Sequence, residues 1–234
     1  MQPDWPRLHL LCDRLAHRDG RDEVKAMDDS PTTALEATLE TERLLLRPIR
    51  PEDTAFAVRH FTDPAVHRFM LDDEPITTAE QATEIVRFYV DTPGATYNRW
   101  VLVRKADAEP LGTCGYHRWS RQHRKAEIGY DLSPAWHGQG YMRQAVSAVL
   151  RHGFEAMGLH RVEALVAVAN ERSAHLLRRL GFAREGLLRE CSFSGGRFHD
   201  HELYALLRQA NNAGAGSSPA ASPTRTKDRH GYTM

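Results

Sequence analysis

The stretch between residues 126 and 168 constrains the fold more than any other part of this sequence. Residues 126–132 alternate between apolar and polar side chains as a strand does, a loop with two glycines follows, and residues 139–157 carry apolar side chains at the spacing of one helix face. Gly158 then ends the helix, and residues 162–168 are almost continuously apolar, as in a strand covered on both faces. A strand, a helix and a second buried strand predict a crossover unit.

The segments on either side of this unit predict a mostly antiparallel sheet. Further strands are predicted at residues 100–104, 111–116, 182–193 and 198–207, with a strand ending in a turn at residues 40–49. Helices are predicted to begin near Pro51, Asp63 and Thr77 and to span residues 171–180. The expected fold class is α/β (α+β), with a mixed central sheet flanked by helices.

Both ends of the chain lack the periodicity of a folded segment. Residues 1–38 mix Asp, Arg, Pro and Thr, and residues 209–234 are rich in Ala, Gly, Ser and Pro. We expect disorder in both tails and one domain over residues 39–208. An alternative hypothesis takes Met27 as the true start codon and residues 1–26 as a misannotated extension, which the intact mass of the natively expressed protein would decide.

The composition argues against several classes of partner. The 31 Lys and Arg residues balance the 31 Asp and Glu residues, so no global field recruits nucleic acid or an anionic membrane. No segment approaches the roughly 20 apolar residues that a bilayer requires. Cys12, Cys114 and Cys191 include no CxxC pair and lie too far apart for a zinc ribbon. We expect a cytoplasmic protein in a reducing compartment, as a monomer or a homodimer.

The junction between residues 131 and 142 carries the strongest chemical signal, because a strand ends there and a glycine-containing loop becomes a helix. The first turn of a helix has backbone N–H groups without intrahelical partners, and the aligned peptide dipoles add roughly half a positive charge. Gly138 and Gly140 let the backbone approach a pyrophosphate. The alternative is a simple loop-to-helix connection that uses glycine for its turn geometry, and a Gly-x-Gly pattern alone does not decide between the two.

From about residue 40 to residue 208, the sequence resembles the GNAT superfamily of N-acetyltransferases, and within it the RimJ/RimL-like branch of protein N-terminal acetyltransferases. Several separate segments carry the resemblance in the family order. They are Glu-Arg-Leu-Leu-Leu-Arg-Pro at residues 42–48, Ala-Glu-Ile-Gly-Tyr at 126–130, Gly-Gln-Gly-Tyr-Met at 138–142, Gly-Leu-His-Arg-Val-Glu-Ala at 158–164, Asn-Glu-Arg-Ser at 170–173 and Leu-Gly-Phe at 180–182. His137 departs from the Gln or Arg that begins the family's loop, whereas Met142 matches many RimJ/RimL-like members.

The resemblance implies an acetyl-CoA-dependent enzyme of the GNAT fold, in which the central sheet splays between two parallel strands. Pantetheine would pair with the exposed backbone of the first of these strands at Tyr130, Asp131 and Leu132, and a backbone N–H near Tyr130 or Leu132 would stabilise the oxyanion. The pyrophosphate would bind the loop and the first helical turn. These cofactor-binding residues are His137, Gly138, Gln139, Gly140, Tyr141, Met142 and Arg143.

Direct acetyl transfer needs a base for the amine, and Glu127 is the predicted base because it lies a few residues before the pantetheine segment. The alternative is a carboxylate on the sheet surface that pairs with a nearby Arg. A shift of one residue on a strand turns a side chain to the other face, so the sequence leaves both interpretations open. Glu163 and His117 are the reserve candidates.

Transfer also needs an acid for the departing CoA thiolate. Many GNAT enzymes place a tyrosine on the helix after the second parallel strand, but Leu177 stands at the matching position here. Ser173 matches the serine that serves as the acid in RimJ/RimL-like enzymes, and Asn170 resembles the family's CoA-contacting asparagine. Each has a structural alternative: Ser173 can satisfy backbone groups at the start of the helix, and Asn170 can be its N-cap.

Cys114 and a cluster at residues 199–201 carry reactive or metal-binding side chains, but no chemical role is assigned to either. Cys114 has no collinear His and Asn partners, and GNAT enzymes transfer acetyl directly, so a packed strand cysteine is the favoured interpretation. His199, Asp200 and His201 form the tightest cluster of possible metal ligands, and we favour a solvated or acceptor-binding edge of the hairpin there. No metal is assigned.

The resemblance favours acetylation of a primary amine, and most specifically of the α-amino group of a protein or peptide. The nearest alternative is a small-molecule enzyme that acetylates an aminoglycoside, a polyamine or an amino acid. A third is a catalytically silent acyl-CoA-binding module, which the absence of tyrosine at position 177 permits. The acceptor pocket is expected from residues 51–92 and the last hairpin.

Overall fold

The computed structural model describes residues 34–70, 76–90 and 96–208. The expectations for residues 1–33, including Met27 and Cys12, and for residues 209–234 therefore lie outside the described residues, as do residues 71–75 and 91–95 of the expected acceptor region. In the described chain, eight strands form one sheet in the order β1-β2-β3-β4-β5-β6-β8-β7. The strands are β1 (Leu39–Glu40), β2 (Leu44–Pro48), β3 (Trp100–Arg104), β4 (Pro110–Ser120), β5 (Lys125–Leu132), β6 (Arg161–Ala167), β7 (Ala183–Ser194) and β8 (Arg197–Leu207).

Helices cover both faces of this sheet. They are α1 (Thr54–Phe61), α2 (Pro64–His67), α3 (Ala79–Val90), α4 (Tyr141–Glu155) and α5 (Glu171–Arg179), with 3-10 turns at Pro51–Asp53 and Pro134–Trp136. Neighbouring residues of β3 show the two layers: Val101 packs with the apolar side chains of α1 and α3, whereas Trp100 packs with those of α4 and α5. Within the described residues no helix combines the length and apolar character needed to cross a membrane.

The burial of β6 differs from the prediction. Val162, Ala164 and Val166 are buried, but Glu163 and Leu165 between them are only half-buried. The inner residues join the core under α4 and α5, while the opposite face of β6 is less covered by the described helices. The apolar run therefore forms a strand with one buried face.

The pairing of β5 with β6 positions the site. These two strands form the parallel pair of the described sheet, and the crossover unit is confirmed. They are in register only over three pairs, which end with Glu127 opposite Glu163, although β5 continues to Leu132 and β6 to Ala167. The two strands thus separate beyond Glu127, which is the splay that the family resemblance implied.

Candidate active site

The loop between β5 and α4 is open to a ligand. Gly138 and Gly140 have φ angles of 75° and 79°, a left-handed conformation that residues with a Cβ rarely adopt. A Cβ on Gly138 would meet no atom within 4 Å, so the backbone there faces open space. Gly140 is the N-cap of α4 and provides no side-chain acceptor, which leaves the N–H groups of the first turn without a side-chain cap. This arrangement suits an anion.

Arg43, which directly precedes β2, contacts the loop between β5 and α4. Its Nη2 donates to the backbone oxygen of Gln139 at 2.8 Å, and its guanidinium lies 4.2 Å from the ring centre of Tyr141. The side chain of Gln139 in turn donates to the backbone oxygen of Ala135 at 3.1 Å. The sequence segment that contains Arg43 contributed to the family resemblance, but its contact with the loop was not predicted.

The predicted cofactor residues at the start of α4 divide into two groups. The side chains of Tyr141 and Met142 are buried in the core, 7% and 8% exposed, so only their backbone can face the loop. Arg143 is exposed one residue further along. Because the helix must pack one face against the sheet, consecutive residues of its first turn point in different directions.

His137 closes the start of the loop. Its Nε2 lies 2.9 Å from the backbone oxygen of Leu132, and its Nδ1 lies 2.9 Å from Nη1 of Arg172 in the first turn of α5. The ring therefore links the end of β5 to α5. One of the backbone acceptors predicted for pantetheine, the carbonyl of Leu132, already receives this bond from His137.

A pair of hydroxyl groups lies at the splay. The phenol oxygen of Tyr130 on β5 and the Oγ of Ser173 in the first turn of α5 are 2.7 Å apart. Burial raises the pKa of the Tyr130 phenol, so this group stays protonated at neutral pH. The side chain of Asn170 accepts from the backbone N–H of Ser173 at 3.2 Å and is thus the N-cap of the helix. Leu177 is fully buried in the core.

The Tyr130 phenol is a feature that sequence reasoning missed. The prediction used Tyr130 for its backbone alone and looked for a hydroxyl on α5, where Leu177 stands instead of tyrosine. The structure brings a phenol to the start of α5 from the neighbouring strand. The spacing of Tyr130 on the α4 side of β5, two residues after the buried Ile128, could have indicated that its side chain turns toward the helices.

Asp131 points its side chain to the opposite face of β5, into a buried polar network. One carboxylate oxygen lies 2.5 Å from Nε2 of His60, and the other accepts from Nη2 of Arg99 at 3.0 Å and from the hydroxyl of Thr113 at 2.6 Å. Burial alone would raise the pKa of Asp131, but Arg99 and His60 outweigh it and hold that pKa below its usual value. His60 also contacts Ser133 at 2.9 Å, so the network ties α1 to the end of β5.

The three candidate bases lie side by side on this face, since His117, Glu127 and Glu163 are register partners on adjacent strands. Glu127 forms an ion pair with Arg118 at 3.0 Å; its side chain is 13% exposed and that of Arg118 is 42% exposed. The Arg pairing named as the structural alternative is thus present. His117 has a nitrogen 3.3 Å from a guanidinium nitrogen of Arg99.

Glu163 lies between two cations. It accepts from Arg161 at 2.7 Å and from Lys125 at 3.2 Å. Burial acts to raise the pKa of Glu163, but the two cations lower it further than burial raises it. A carboxylate with a lowered pKa is a weak proton acceptor, which argues against Glu163 as the base.

The two described cysteines differ in their surroundings. Cys114 is fully buried, and burial raises its pKa to about 12, which removes the thiolate needed for nucleophilic chemistry. Cys191 in the last hairpin lies 3.0 Å from Nδ1 of the buried His201. Among the described residues no group of three or more His, Cys, Asp and Glu side chains is arranged to hold a metal ion.

Comparison with known proteins places this geometry in a family. Residues 43–183 match the family described as an acetyltransferase (GNAT) domain. An uncharacterized N-acetyltransferase p20 of Bacillus licheniformis is 35% identical over 173 residues, which cover 74% of this chain and 97% of that protein. The spermidine N(1)-acetyltransferase of Escherichia coli K12 is 25% identical over 155 residues, covering 66% of this chain and 81% of that protein.

Two comparisons concern the RimJ/RimL-like branch. The ribosomal protein uS5-alanine N-acetyltransferase of Escherichia coli K12 is 37% identical over 79 residues, covering 34% of this chain and 41% of that protein. The structure of Mycobacterium smegmatis RimJ in complex with CoA-disulfide superposes with a TM-score of 0.66 at 26% identity, covering 74% of this chain and 88% of that one. The open glycine loop, the splayed parallel strands and these matches lead to one conclusion: the chain belongs to the GNAT family of N-acetyltransferases.

Proposed function

We propose that this protein transfers the acetyl group of acetyl-CoA to the α-amino group of a protein or peptide N-terminus. The observation that carries the donor side of the proposal is the end of β5–β6 pairing at Glu127, followed along the chain by a glycine loop and a helix start without a side-chain cap. The gap offers extended backbone to the pantetheine arm, and the loop offers N–H groups to the pyrophosphate. The acceptor is proposed from similarity to the uS5-alanine enzyme.

In this proposal the protein contributes three functions to direct transfer. Glu127 removes a proton from the incoming amine, either directly or through water. A backbone N–H near Tyr130 or Leu132 stabilises the oxyanion. Ser173 delivers a proton to the departing thiolate, and the Tyr130 phenol fixes its hydroxyl by the 2.7 Å hydrogen bond. The amine nitrogen gains the acetyl carbon as the thioester C–S bond breaks, and the proton lost by nitrogen balances the one gained by sulfur.

A polyamine is the second candidate acceptor, and similarity to a spermidine acetyltransferase over two thirds of this chain supports it. A peptide α-amine and a polyamine share the primary amine but differ in the rest of the molecule. A peptide presents a backbone that can hydrogen-bond, whereas a polyamine presents further cations that need acidic or aromatic partners. The two are distinguished by direct turnover measurements.

The test incubates the full chain with acetyl-CoA and a matched panel of acceptors: peptides that begin with Ala, Ser, Thr or Met, the same peptides with a blocked N-terminus, and spermidine. Free CoA and the mass of the product are followed together. Turnover of the unblocked peptides alone supports the proposal. Turnover of spermidine alone would show that the acceptor is a polyamine. Binding of acetyl-CoA without turnover of any amine would show that the protein is a catalytically silent acyl-CoA-binding module.

The role of Glu127 is tested with a matched pair of variants. Glu127→Gln and Glu163→Gln remove the same charge from neighbouring positions on one face of the sheet. If Glu127 is the base, Glu127→Gln lowers kcat by roughly 10²- to 10⁴-fold, and Glu163→Gln lowers it far less. Equal losses of kcat in the two variants would show that Glu127 is not the base and serves only in its ion pair with Arg118.

The hydroxyl pair is tested in the same way. Ser173→Ala removes the proposed acid, whereas Tyr130→Phe keeps the ring and removes only the group that orients it. We expect the larger loss of kcat for Ser173→Ala, and a double variant no worse than Ser173→Ala alone, because the two groups act as one unit. Additive losses of kcat in the double variant would show that Ser173 and Tyr130 act independently.

A further inference from the structure

Arg172 reaches across to the glycine loop from another helix. It lies in the first turn of α5, and its Nη1 contacts Nδ1 of His137 at 2.9 Å although the two residues are 35 positions apart. Arg172 is exposed, and in the described part of the chain it forms no ion pair with a carboxylate. A guanidinium carries five N–H donors in a planar fork, so one contact with His137 leaves most of them available.

His137 fixes the direction of this guanidinium. Its Nε2 faces the carbonyl of Leu132 at 2.9 Å and must carry the proton that this bond needs. Its Nδ1 faces the Arg172 guanidinium, which can only donate, so Nδ1 acts as the acceptor and the imidazole is neutral. The residue that begins the loop therefore brings no positive charge of its own, in a sequence that departs from the family's Gln or Arg at that position.

Because His137 is neutral, the charge of a pyrophosphate has to be matched by the start of α4 and by neighbouring cations. The dipole of α4 contributes roughly half a positive charge at its first turn. A diphosphate bridge carries about two negative charges, and a guanidinium binds phosphate oxygens through paired, parallel hydrogen bonds. In the described chain, three cations surround this site: Arg43 contacts the backbone of Gln139, Arg143 is exposed in the first turn of α4, and Arg172 contacts His137 at the beginning of the loop.

We propose that Arg172 supplies a side-chain cation to the CoA pyrophosphate site at the beginning of the loop, and that His137 is the positioning residue that holds it there. The inference rests on the proposed use of acetyl-CoA. It assigns the contact that the family pattern places at the start of the loop to a residue of α5. Because α5 also carries Ser173, the diphosphate end of the donor and the proposed acid are held by the same helical turn.

The experiment compares two donors that differ in the proposed ligand. Acetyl-CoA contains the diphosphate, whereas S-acetyl-pantetheine keeps the thioester arm and lacks both phosphates and nucleotide. For Arg172→Gln we expect kcat/KM with acetyl-CoA to fall about 10- to 100-fold, the range for losing a hydrogen bond to a charged group, and kcat/KM with S-acetyl-pantetheine to stay as in the parent protein. Arg172→Lys, which keeps the charge without the fork, should recover part of the loss.

A second readout needs no turnover. CoA and pantetheine are each added to the protein during thermal unfolding, and the rise in Tm that CoA causes should shrink in Arg172→Gln while the response to pantetheine is unchanged. His137→Ala should show a smaller defect of the same kind, and the double variant should not exceed Arg172→Gln. Arg179→Gln, at the last position of the same helix, is the control for removing a cation from α5.

The outcomes separate this inference from the proposed function. Turnover and CoA binding by the parent protein, with unchanged values for Arg172→Gln, would overturn the role of Arg172 alone. Equal losses with both donors would also overturn it, because Arg172 would then hold the loop in shape without binding the diphosphate. A parent protein that neither binds CoA nor turns over acetyl-CoA would refute the proposed function itself.

Discussion

The Asp131 network offers the sharpest test of how this fold is stabilised. Oδ1 of Asp131 faces Nε2 of His60 and the backbone N–H of Thr113, and Oδ2 faces Arg99 and the hydroxyl of Thr113. An asparagine has the same shape but only one acceptor oxygen, so in either orientation its NH₂ group points at a donor. Asp131→Asn therefore removes the carboxylate charge that faces the buried Arg99 guanidinium and turns an NH₂ group toward a donor.

The expected cost follows from the burial of the partners. The side chains of Asp131 and Arg99 are 5% and 8% exposed, which places this ion pair in the class whose disruption costs about 3–5 kcal/mol of unfolding free energy. For a domain of this size that corresponds to a Tm lower by roughly 6–20 °C. Urea unfolding followed by circular dichroism measures the free energy. Asp107→Asn, which breaks the exposed pair with Arg104, is the control and should change stability little.

The difference in unfolding free energy between the parent protein and Asp131→Asn should depend on pH. The folded pKa of Asp131 is lowered, so its contribution is complete above the unfolded pKa of about 3.9 and is lost as the pH falls through the lower folded value. The difference between the parent protein and Asp131→Asn should be constant near pH 7 and shrink below about pH 4. A difference under about 1 kcal/mol at pH 7 would refute the reasoning, because the buried charges would then be balanced without the carboxylate.

Three further predictions use the described geometry. Gly153→Ala places a Cβ 2.3 Å from the phenol oxygen of the fully buried Tyr116, so overpacking should lower the unfolding free energy by about 1–3 kcal/mol in urea titrations. Iodoacetamide should label the exposed Cys191 in the native protein and reach Cys114 only after unfolding, as peptide mass mapping will show; native labelling of Cys114 would contradict its burial. Gly140→Ala forces a Cβ into φ 79° beside the proposed pyrophosphate, and the KM for acetyl-CoA should rise more than kcat falls.

Much of the fold follows from local pattern. The predicted helices and strands lie within a few residues of the observed ones, because the periodicity of each segment records which face it buries. The end of β4 is an exception. It was predicted to stop at Tyr116 but continues to Ser120, past Arg118 with φ 51° and a shift in register with β5. A single irregular residue inside a strand leaves no signature in a period-two pattern.

The candidate site was predictable in position but only partly in its contacts. The loop at residues 137–143 could be located because glycine, strand end and helix start are local signals. The contact of Arg172 with His137 joins residues from different elements, and only the packing of α5 beside the loop creates it. The burial of Asp131 depends on His60, 71 positions earlier, which reaches it because α1 packs across the sheet. Such pairings depend on topology, which residue periodicity does not encode.

The separation of β5 from β6 also creates an edge inside a sheet. An unpaired edge is ordinarily a place where another chain adds as a strand, but here β6 stays paired with β5 as far as Glu127, and Ser173 at the start of α5 contacts Tyr130 beyond that point. Under the proposed function, the extended pantetheine arm of acetyl-CoA would take the place of a missing strand segment beside β5. Amide hydrogens in the last residues of β5, through Leu132, should then exchange with deuterium more slowly when acetyl-CoA is bound. Acetyl-CoA bound between β5 and β6 would thus complete the sheet. Its concentration would then set the fraction of the protein in which these two strands are bridged beyond Glu127.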